Sequence, residues 1–222
     1  NFMNRNAYTG GLDFRQYFKE KKYFLDVKFV GSHIQGSEEA IELQQLSSRR
    51  YFQRPDQDYM VFDPTRTSLA GYGGNFLFAK QANKGLSYAA NVTWRSPGLE
   101  LNDAGYMRRA NSIFQFVWAG YRITEPVFIF RSIGINANQW AGWDFGGTTN
   151  FFGGNINSWM QFKNLWTMSL NVNAEGFNND NSILRGGPTM KVPGGYNYGM
   201  NIGSNSSKKL SSVSSFNFKS SE

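Results

Sequence analysis

The segment 165–176, LWTMSLNVNAEG, alternates between apolar and polar residues, and this pattern restricts the fold more than any other feature of the chain. The apolar series is Trp166, Met168, Leu170 and Val172. The polar residues at the positions between them are Thr167, Ser169, Asn171 and Asn173. A period of two predicts a β-strand with two unlike faces. The four polar positions carry no charge, although a solvated strand usually exposes Lys and Glu.

The same alternation recurs in about ten segments along the chain. It is clearest in four further stretches, at 86–95, 132–138, 152–161 and 196–203. Most of the segments span about 9 to 12 residues, which exceeds the usual soluble strand of about 5 or 6. That length matches a tilted strand that crosses a membrane.

The connections between these segments alternate in length. Short turns such as YFKEKK, KQANKG and ITEP are followed by long stretches near 32–62, 96–111, 138–145 and 175–194. Outer-membrane barrels alternate short periplasmic turns with longer extracellular loops in the same way. The sequence therefore predicts an all-β fold, an antiparallel transmembrane β-barrel, with residues 1–222 as a portion of one barrel and the long stretches as extracellular loops.

A membrane barrel also explains the uncharged polar face, because its outer face meets lipid and its inner face lines a watery or plugged lumen. We expect Val92, Trp94, Trp166, Leu170, Tyr198 and Ile202 to face lipid. The lumen-facing candidates are Asn91, Asn155, Asn171 and Asn201. With the long loops outside the cell, both termini would also lie outside, so the chain is expected to be an internal piece of a larger barrel.

Composition restricts the chemistry that the chain can perform. It has no cysteine and one histidine, His33, and it lacks the HExxH, P-loop and EF-hand patterns, so we expect no catalytic residue and no cofactor. Asp56 with Asp58, and Asp180, are loop oxygens without a full calcium ligand set, so no metal site is predicted. The net charge of +7 suits an anionic partner or a solvated basic surface; we expect no nucleic acid.

The stretch YFQRPDQDYMVFDPTRTSLAGYGG at 51–74 resembles the barrel part of the outer-membrane proteins that contain domain of unknown function 5916. Further matches, in the family's order, are NAYTGGLDF, SPGLELNDAGYMRRAN, WAGWDFGG and LRGGPTMKVPG. The family usually carries a carbohydrate-binding-like β-sandwich before the barrel. The resemblance covers nearly the whole chain and implies a location in the bacterial outer membrane, but it implies no activity.

The family's motifs fall largely on the predicted extracellular loops, and these supply the candidate site residues. They are Arg54, Asp56, Asp103, Arg108, Arg109, Trp140, Trp143, Arg185, Gly186 and Gly187. Asp and Arg side chains on neighbouring loops are expected to pair and fold the loops into a lid. Arg108 and Arg109 suit lipopolysaccharide phosphates, and the two tryptophans suit a sugar ring or an interfacial anchor.

We expect a non-enzymatic subunit of a larger outer-membrane complex that serves nutrient uptake, secretion or barrel insertion. Its partners would be outer-membrane lipid, lipopolysaccharide and other outer-membrane proteins. The alternative is an independent pore or glycan channel. A soluble carbohydrate-binding β-sandwich and an outer-membrane hydrolase are further alternatives with less support.

Overall fold

The computed structural model describes residues 3–102 and 105–221, so the candidate Asp103 lies outside the described residues. The described residues form twelve strands and one helix. The strands are β1 (Asn6–Phe18), β2 (Tyr23–Gln35), β3 (Ser68–Lys80), β4 (Gly85–Arg95), β5 (Ser112–Ile123), β6 (Phe130–Trp143), β7 (Thr149–Phe162), β8 (Thr167–Glu175), β9 (Asn178–Asp180), β10 (Met190–Val192), β11 (Gly195–Gly203) and β12 (Val213–Ser221). The helix is α1 (Glu38–Leu46).

Ten of these strands form one antiparallel sheet in the order β1-β2-β3-β4-β5-β6-β7-β8-β11-β12. Every neighbour in the sheet is also the next long strand along the chain, so each pair is a simple hairpin. The prediction of an all-β chain with about ten antiparallel strands is confirmed. In the described part of the chain, β1 and β12 are the two edges of the sheet and do not pair with each other.

The connections lie at two opposite ends of the sheet. The turn end carries the connections 19–22, 81–84, 124–129, 163–166 and 204–212, and the loop end carries 36–67, 96–111, 144–148 and 176–194. Successive connections lie at alternate ends because consecutive strands are antiparallel. The three longest connections, 36–67, 96–111 and 176–194, all lie at the loop end. The connection 176–194 contains the small β9–β10 hairpin, which contacts β7.

The loop predicted at 138–145 is wrong, because β6 continues to Trp143 and the connection is only 144–148. Trp140 and Trp143 are therefore strand residues: Trp140 pairs with Phe116 and Gly153, and Trp143 pairs with Ile113. The indole of Trp140 lies across Gly153, where an added Cβ would meet the ring at 2.9 Å. A glycine partner lets this bulky side chain lie flat, so the strand continues.

The helix α1 is a second feature that the alternation does not indicate. Ser37 is its N-cap and accepts a hydrogen bond from the N–H of Ala40 at 3.3 Å, and two glutamates occupy its first turn. Both features favour a helix start. The helix buries Ile41 in a small apolar core with Ile34, Phe52, Met60 and Leu69. This core fixes the connection 36–67 against the ends of β2 and β3.

A second small core lies under the connection 96–111. Leu99 is 1% exposed and packs with Met107, Ala110 and the β2 residue Val30. The backbone at Leu99 occupies the space above Gly71 of β3, which leaves no room for a side chain there. The connection therefore folds over one face of the sheet and does not extend away from the strands.

Candidate functional site

One face of the sheet, which we call the outer face, is mostly apolar. The predicted lipid-facing residues Val92, Trp94, Leu170, Tyr198 and Ile202 lie on this face, and Trp166 directly precedes β8. The apolar surface is continuous from strand to strand, because residues that pair across two strands lie on the same face. Tyr198 pairs with Val172, and Val172 pairs with Ile156. Ile156 is 56% exposed and Tyr198 is 47% exposed, so large apolar side chains remain uncovered.

The opposite, inner face carries the predicted lumen residues Asn91, Asn155, Asn171 and Asn201. Asparagine amides bond to one another across neighbouring strands: Asn138 donates to Asn155 at 2.6 Å, and Asn171 donates to Asn197 at 3.2 Å. Asn91 donates to the Phe76 carbonyl oxygen at 3.1 Å. These bonds satisfy much of the polar surface within the sheet, so the face needs few charged groups.

Large aromatic residues also lie on the inner face, which the alternation did not indicate. Phe116 pairs with Asn91, Trp118 with Asn138, and Trp159 with Ser169. At the turn end, Trp118 and Trp159 line a cavity of about 1110 Å³ together with Arg122 and lysines of the turns. The inner face is therefore a mixture of amide rows and aromatic walls.

Charged side chains occupy the inner face at β1 and β2. Asp26 is 2% exposed and accepts a hydrogen bond from Arg15 Nε at 2.7 Å. Lys28 Nζ lies 3.4 Å from an oxygen of Asp13. Each charge has an opposite charge beside it, which is the condition under which a buried carboxylate is tolerated.

The four loop-end connections pack together, and we call this cluster the lid. A buried ion pair joins two of them: Arg50 Nη2 donates to Glu100 Oε2 at 2.7 Å. Both residues are 3% exposed. Arg50 also donates to the carbonyl oxygens of Pro97, at 3.1 Å, and Leu99, at 2.6 Å. One guanidinium thus holds the connection 96–111 against the connection 36–67.

The protonation of Glu100 depends on these contacts. Burial opposes its ionisation, but hydrogen bonds from Arg50 and the Asn102 N–H, with the charges of Arg50 and Arg49, outweigh that effect and hold the pKa of Glu100 below its ordinary value. Burial lowers the pKa of Arg50, and Glu100 opposes this shift. Because a guanidinium titrates far above neutral pH, the pair is ionised under ordinary conditions.

A second buried cluster joins three connections. Arg54 Nη2 lies 3.5 Å from Asp144 Oδ2, and both residues are nearly inaccessible to solvent. Asn111 donates to the Tyr59 hydroxyl at 2.8 Å and accepts from the N–H of Phe145 at 3.0 Å. Arg54 and Tyr59 belong to the connection 36–67, and Asn111 belongs to 96–111. Asp144 and Phe145 belong to 144–148. The cluster therefore ties the middle of the lid together.

Tyr59 makes the lid sensitive to alkaline pH. Burial raises the pKa of Tyr59 from 10.0 to about 12, although the hydrogen bond from Asn111 favours the phenolate. The folded pKa lies above the ordinary one, so the stabilisation is complete below pH 10 and is lost as pH rises towards about 12. We expect amide exchange in the lid to accelerate over this interval.

The control for this prediction is Tyr59→Phe, which has no group to titrate. It leaves Asn111 Nδ2 without its partner and costs about 1–3 kcal/mol at neutral pH. Its exchange rates, after correction for intrinsic base catalysis, should not change further between pH 10 and 12. Equal acceleration in both proteins would show that Tyr59 is not the titrating group.

The connection 176–194 closes the lid. Asp56 accepts a hydrogen bond from the N–H of Thr189 at 2.7 Å, and Arg109 donates to the side chain of Asn181. Gly186 has a φ of +102°, a backbone conformation that strains any residue with a side chain, and it lies against the end of the Gln53 side chain. The remaining candidates are peripheral: Arg108 and Arg185 are exposed, and Gly187 donates its N–H to the Leu184 carbonyl oxygen at 3.0 Å.

Comparison with known protein families matches residues 2–222 to the family described as Domain of unknown function (DUF5916). The chain belongs to this family. No curated protein and no solved structure matches the chain. The match to the DUF5916 family model spans all four connections that form the lid.

The described residues of this DUF5916 member contain no group of three or more His, Cys, Asp or Glu side chains placed to hold a metal ion. Asp180, considered above as a calcium ligand, instead accepts hydrogen bonds within its own turn from the N–H groups of Ser182, at 2.7 Å, and Ile183, at 3.2 Å. Neither does any helix among these residues have the length and apolar character needed to cross a membrane.

The most deeply buried charged residues of the lid were not among the sequence candidates. Glu100 and Asp144 lie in motifs that the family resemblance highlights, and Arg50 directly precedes the motif that begins at Tyr51. The one available signal is that each lies in a stretch that also contains apolar residues, such as Leu99 beside Glu100. That signal does not indicate which charges become buried, because burial depends on how two distant connections meet.

Proposed function

We propose that the chain forms part of an integral β-barrel of the bacterial outer membrane and acts as a non-enzymatic subunit of a larger outer-membrane complex. The observation that carries the proposal is the uncovered outer face, on which Leu12, Val117 and Ile156 are 78%, 47% and 56% exposed. Soluble monomers rarely expose contiguous apolar surfaces beyond a few hundred Å². Hydrocarbon is the environment in which such a face is stable.

The strand geometry supports the same environment. A tilted strand of about 9–11 residues crosses the hydrocarbon layer, and β2 to β7 are 11 to 14 residues long. Within the sheet the backbone groups are paired, as lipid requires. The free edges of β1 and β12 would be costly in lipid, so the proposal requires each edge to pair with a further strand in a closed barrel.

The lid supports the role as a subunit. Buried ion pairs fix its shape, and each of its three longest connections exposes large apolar side chains. In the connection 36–67 these are Leu43 (54% exposed) and Val61 (67%), in 96–111 Tyr106 (85%), and in 176–194 Ile183 (50%) and Leu184 (46%). A fixed surface with exposed apolar groups suits a docked protein better than a moving gate. Exposed Arg108 would meet lipopolysaccharide phosphates at the rim of this surface.

The inner face favours a second candidate function, an independent pore or glycan channel. The cavity at the turn end has a volume of about 1110 Å³ and combines Trp118, Trp159 and Arg122. Amide rows continue from it along the sheet. The lid folds over the inner face at the opposite end, which favours a plugged barrel. Conductance of the full-length protein in planar bilayers distinguishes the two functions, because a plugged subunit is silent.

Cysteine labelling tests the proposal directly, because residues 1–222 contain no cysteine; any cysteine elsewhere in the full-length protein is first replaced by serine. Three full-length variants are Ile156→Cys on the outer face, Val61→Cys on the lid and Asp58→Cys, an exposed polar control on the lid. Each is treated in native outer membranes with a membrane-impermeant maleimide. We expect Asp58→Cys to react, and Ile156→Cys to react only after denaturation, since lipid excludes the reagent.

Val61→Cys tests the subunit role separately. It should be protected in native membranes by the partner protein and become reactive once the protein is purified as a single polypeptide in detergent. If Ile156→Cys reacts as fast as Asp58→Cys in membranes, the outer face does not meet lipid. If Val61→Cys reacts as fast as Asp58→Cys while Ile156→Cys stays protected, the protein is in the membrane but its lid carries no partner.

A further inference from the structure

A small cavity of about 270 Å³ lies at the loop end, where the ends of β6, β7 and β8 meet the β9–β10 hairpin. It is separate from the larger cavity at the turn end. The residues that give it its chemical character are Arg109, Trp140, Asn150, Glu175, Asn178 and Asp180. They come from five different parts of the chain, so the cavity exists only in the folded protein.

Two residues that line this cavity each have an amide oxygen with no hydrogen-bond partner among the described residues. Oδ1 of Asn150 and Oδ1 of Asn178 are both buried, and neither accepts a bond. Asn150 as a whole is only 5% exposed. The neighbouring Asn179 differs, because it donates to the carbonyl oxygen of Thr149 at 2.6 Å. Buried acceptors without a partner are costly, so a ligand that donates hydrogen bonds to both is favoured.

The wall of the cavity includes the indole of Trp140. This ring lies across Gly153, so the strand backbone supports it and holds it flat. An aromatic wall beside buried acceptors suits a molecule that has an apolar face and hydroxyl donors at its edge. A sugar ring has both. Typical ligand pockets have volumes of about 300–1,000 Å³, so this cavity suits a single ring.

We propose that this cavity binds one pyranose ring of a glycan, stacked on Trp140, with hydroxyl groups that donate to Asn150 and Asn178. Glu175 accepts a further hydroxyl, and Arg109 donates to a ring or hydroxyl oxygen. The inference goes beyond the proposed function and does not depend on it, because it concerns a cavity between strand ends and the lid and not the apolar outer face.

A divalent cation suits the cavity less well than a sugar. The guanidinium of Arg109 lines the same space and would repel a cation. Oδ1 of Asp180 already accepts from the N–H and the hydroxyl of Ser182, at 2.7 Å and 2.6 Å. Calcium requires about six to eight oxygen ligands, and the cavity cannot supply that number from the amides and Glu175.

Calorimetric titration of the purified full-length protein tests the proposal. The probes are the methyl α- and β-pyranosides of glucose, mannose and galactose, with calcium chloride in a separate titration. The variants are Asn178→Ala, which is only half-buried and should keep the fold, and Trp140→Phe. Asn164→Ala and Trp166→Phe, at the turn end and outside both cavities, are the matched controls.

We expect at least one pyranoside to bind saturably. Asn178→Ala and Trp140→Phe should each weaken that binding by about fivefold or more, and the two controls should leave it unchanged. Absence of saturable binding for all six sugars would overturn the proposal. Binding of calcium alone, or sugar binding that Asn178→Ala leaves intact, would also overturn it, because the ligand would then be a cation or would lie elsewhere.

Discussion

Arg50→Leu is expected to destabilise the lid by about 3–5 kcal/mol, because it removes the guanidinium closest to the buried Glu100 carboxylate and leaves only the longer contact to Arg49 Nε, at 3.5 Å. Arg50 and Glu100 are each 3% exposed, so water cannot replace the lost partner without opening the connection. The substitution also removes the hydrogen bonds to the carbonyl oxygens of Pro97 and Leu99. The connections 36–67 and 96–111 should therefore open together.

Hydrogen exchange with mass spectrometry on the full-length protein measures this effect at the peptides that cover 36–67 and 96–102. The matched control is Arg108→Leu, which removes an exposed guanidinium from the connection 96–111 and should change stability by no more than about 0.5 kcal/mol. Unchanged protection in Arg50→Leu would show that the ion pair does not hold the lid.

The double variant Arg50→Leu with Glu100→Leu separates a lost attraction from an uncompensated charge. Apolar replacement of both partners of a buried pair is often neutral or stabilising. We therefore expect the double variant to recover most of the protection that Arg50→Leu loses. A double variant that is less protected than the single one would indicate that the hydrogen bonds to Pro97 and Leu99 dominate.

Ile156→Arg is expected to cost about 2–4 kcal/mol if the outer face lies in lipid, because Ile156 is at the middle of β7 and an arginine there would enter the hydrocarbon. In water the same change, at a position that is 56% exposed, should cost no more than about 0.5 kcal/mol. The magnitude therefore distinguishes the two environments.

Assembly of the full-length protein into outer membranes measures this cost, with resistance to added protease as the readout of folding. Leu86→Arg is the matched control on the same face, since Leu86 lies one residue from the turn-end start of β4. Its cost should be only about 0–1 kcal/mol, because arginine near the interface reaches water. Full assembly of Ile156→Arg would contradict a lipid-facing outer face.

The alternation predicted the strands well because it is a local property. In β8 and β11 each residue's face follows from its position in the chain, and the pairing of Asn171 with Gly199 and of Leu170 with Met200 keeps every face intact. The antiparallel order then places all long connections at one end. These features need no information about distant residues.

The loop prediction at Trp140 and Trp143 was wrong because the strand there depends on a contact with a distant residue. The segment QWAGW reads as a loop because two large residues and a glycine interrupt the simple pattern. It forms a strand because Gly153 on the neighbouring strand leaves space for the Trp140 ring. The helix α1 also depends on distant residues, because its apolar side packs against Ile34 and Leu69, which the fold brings beneath it.

The sequence by itself determined the ten long antiparallel strands, their two unlike faces and the separation of short turns from long connections, because each of these follows from neighbouring residues. Only the tertiary structure decided which charges are buried, which amides remain without partners and which aromatic residues line the inner face. Arg50 and Glu100 lie 50 residues apart, and Arg54 and Asp144 lie 90 apart. No local pattern encodes such pairs, because their burial arises only when separate connections pack against one another over the sheet.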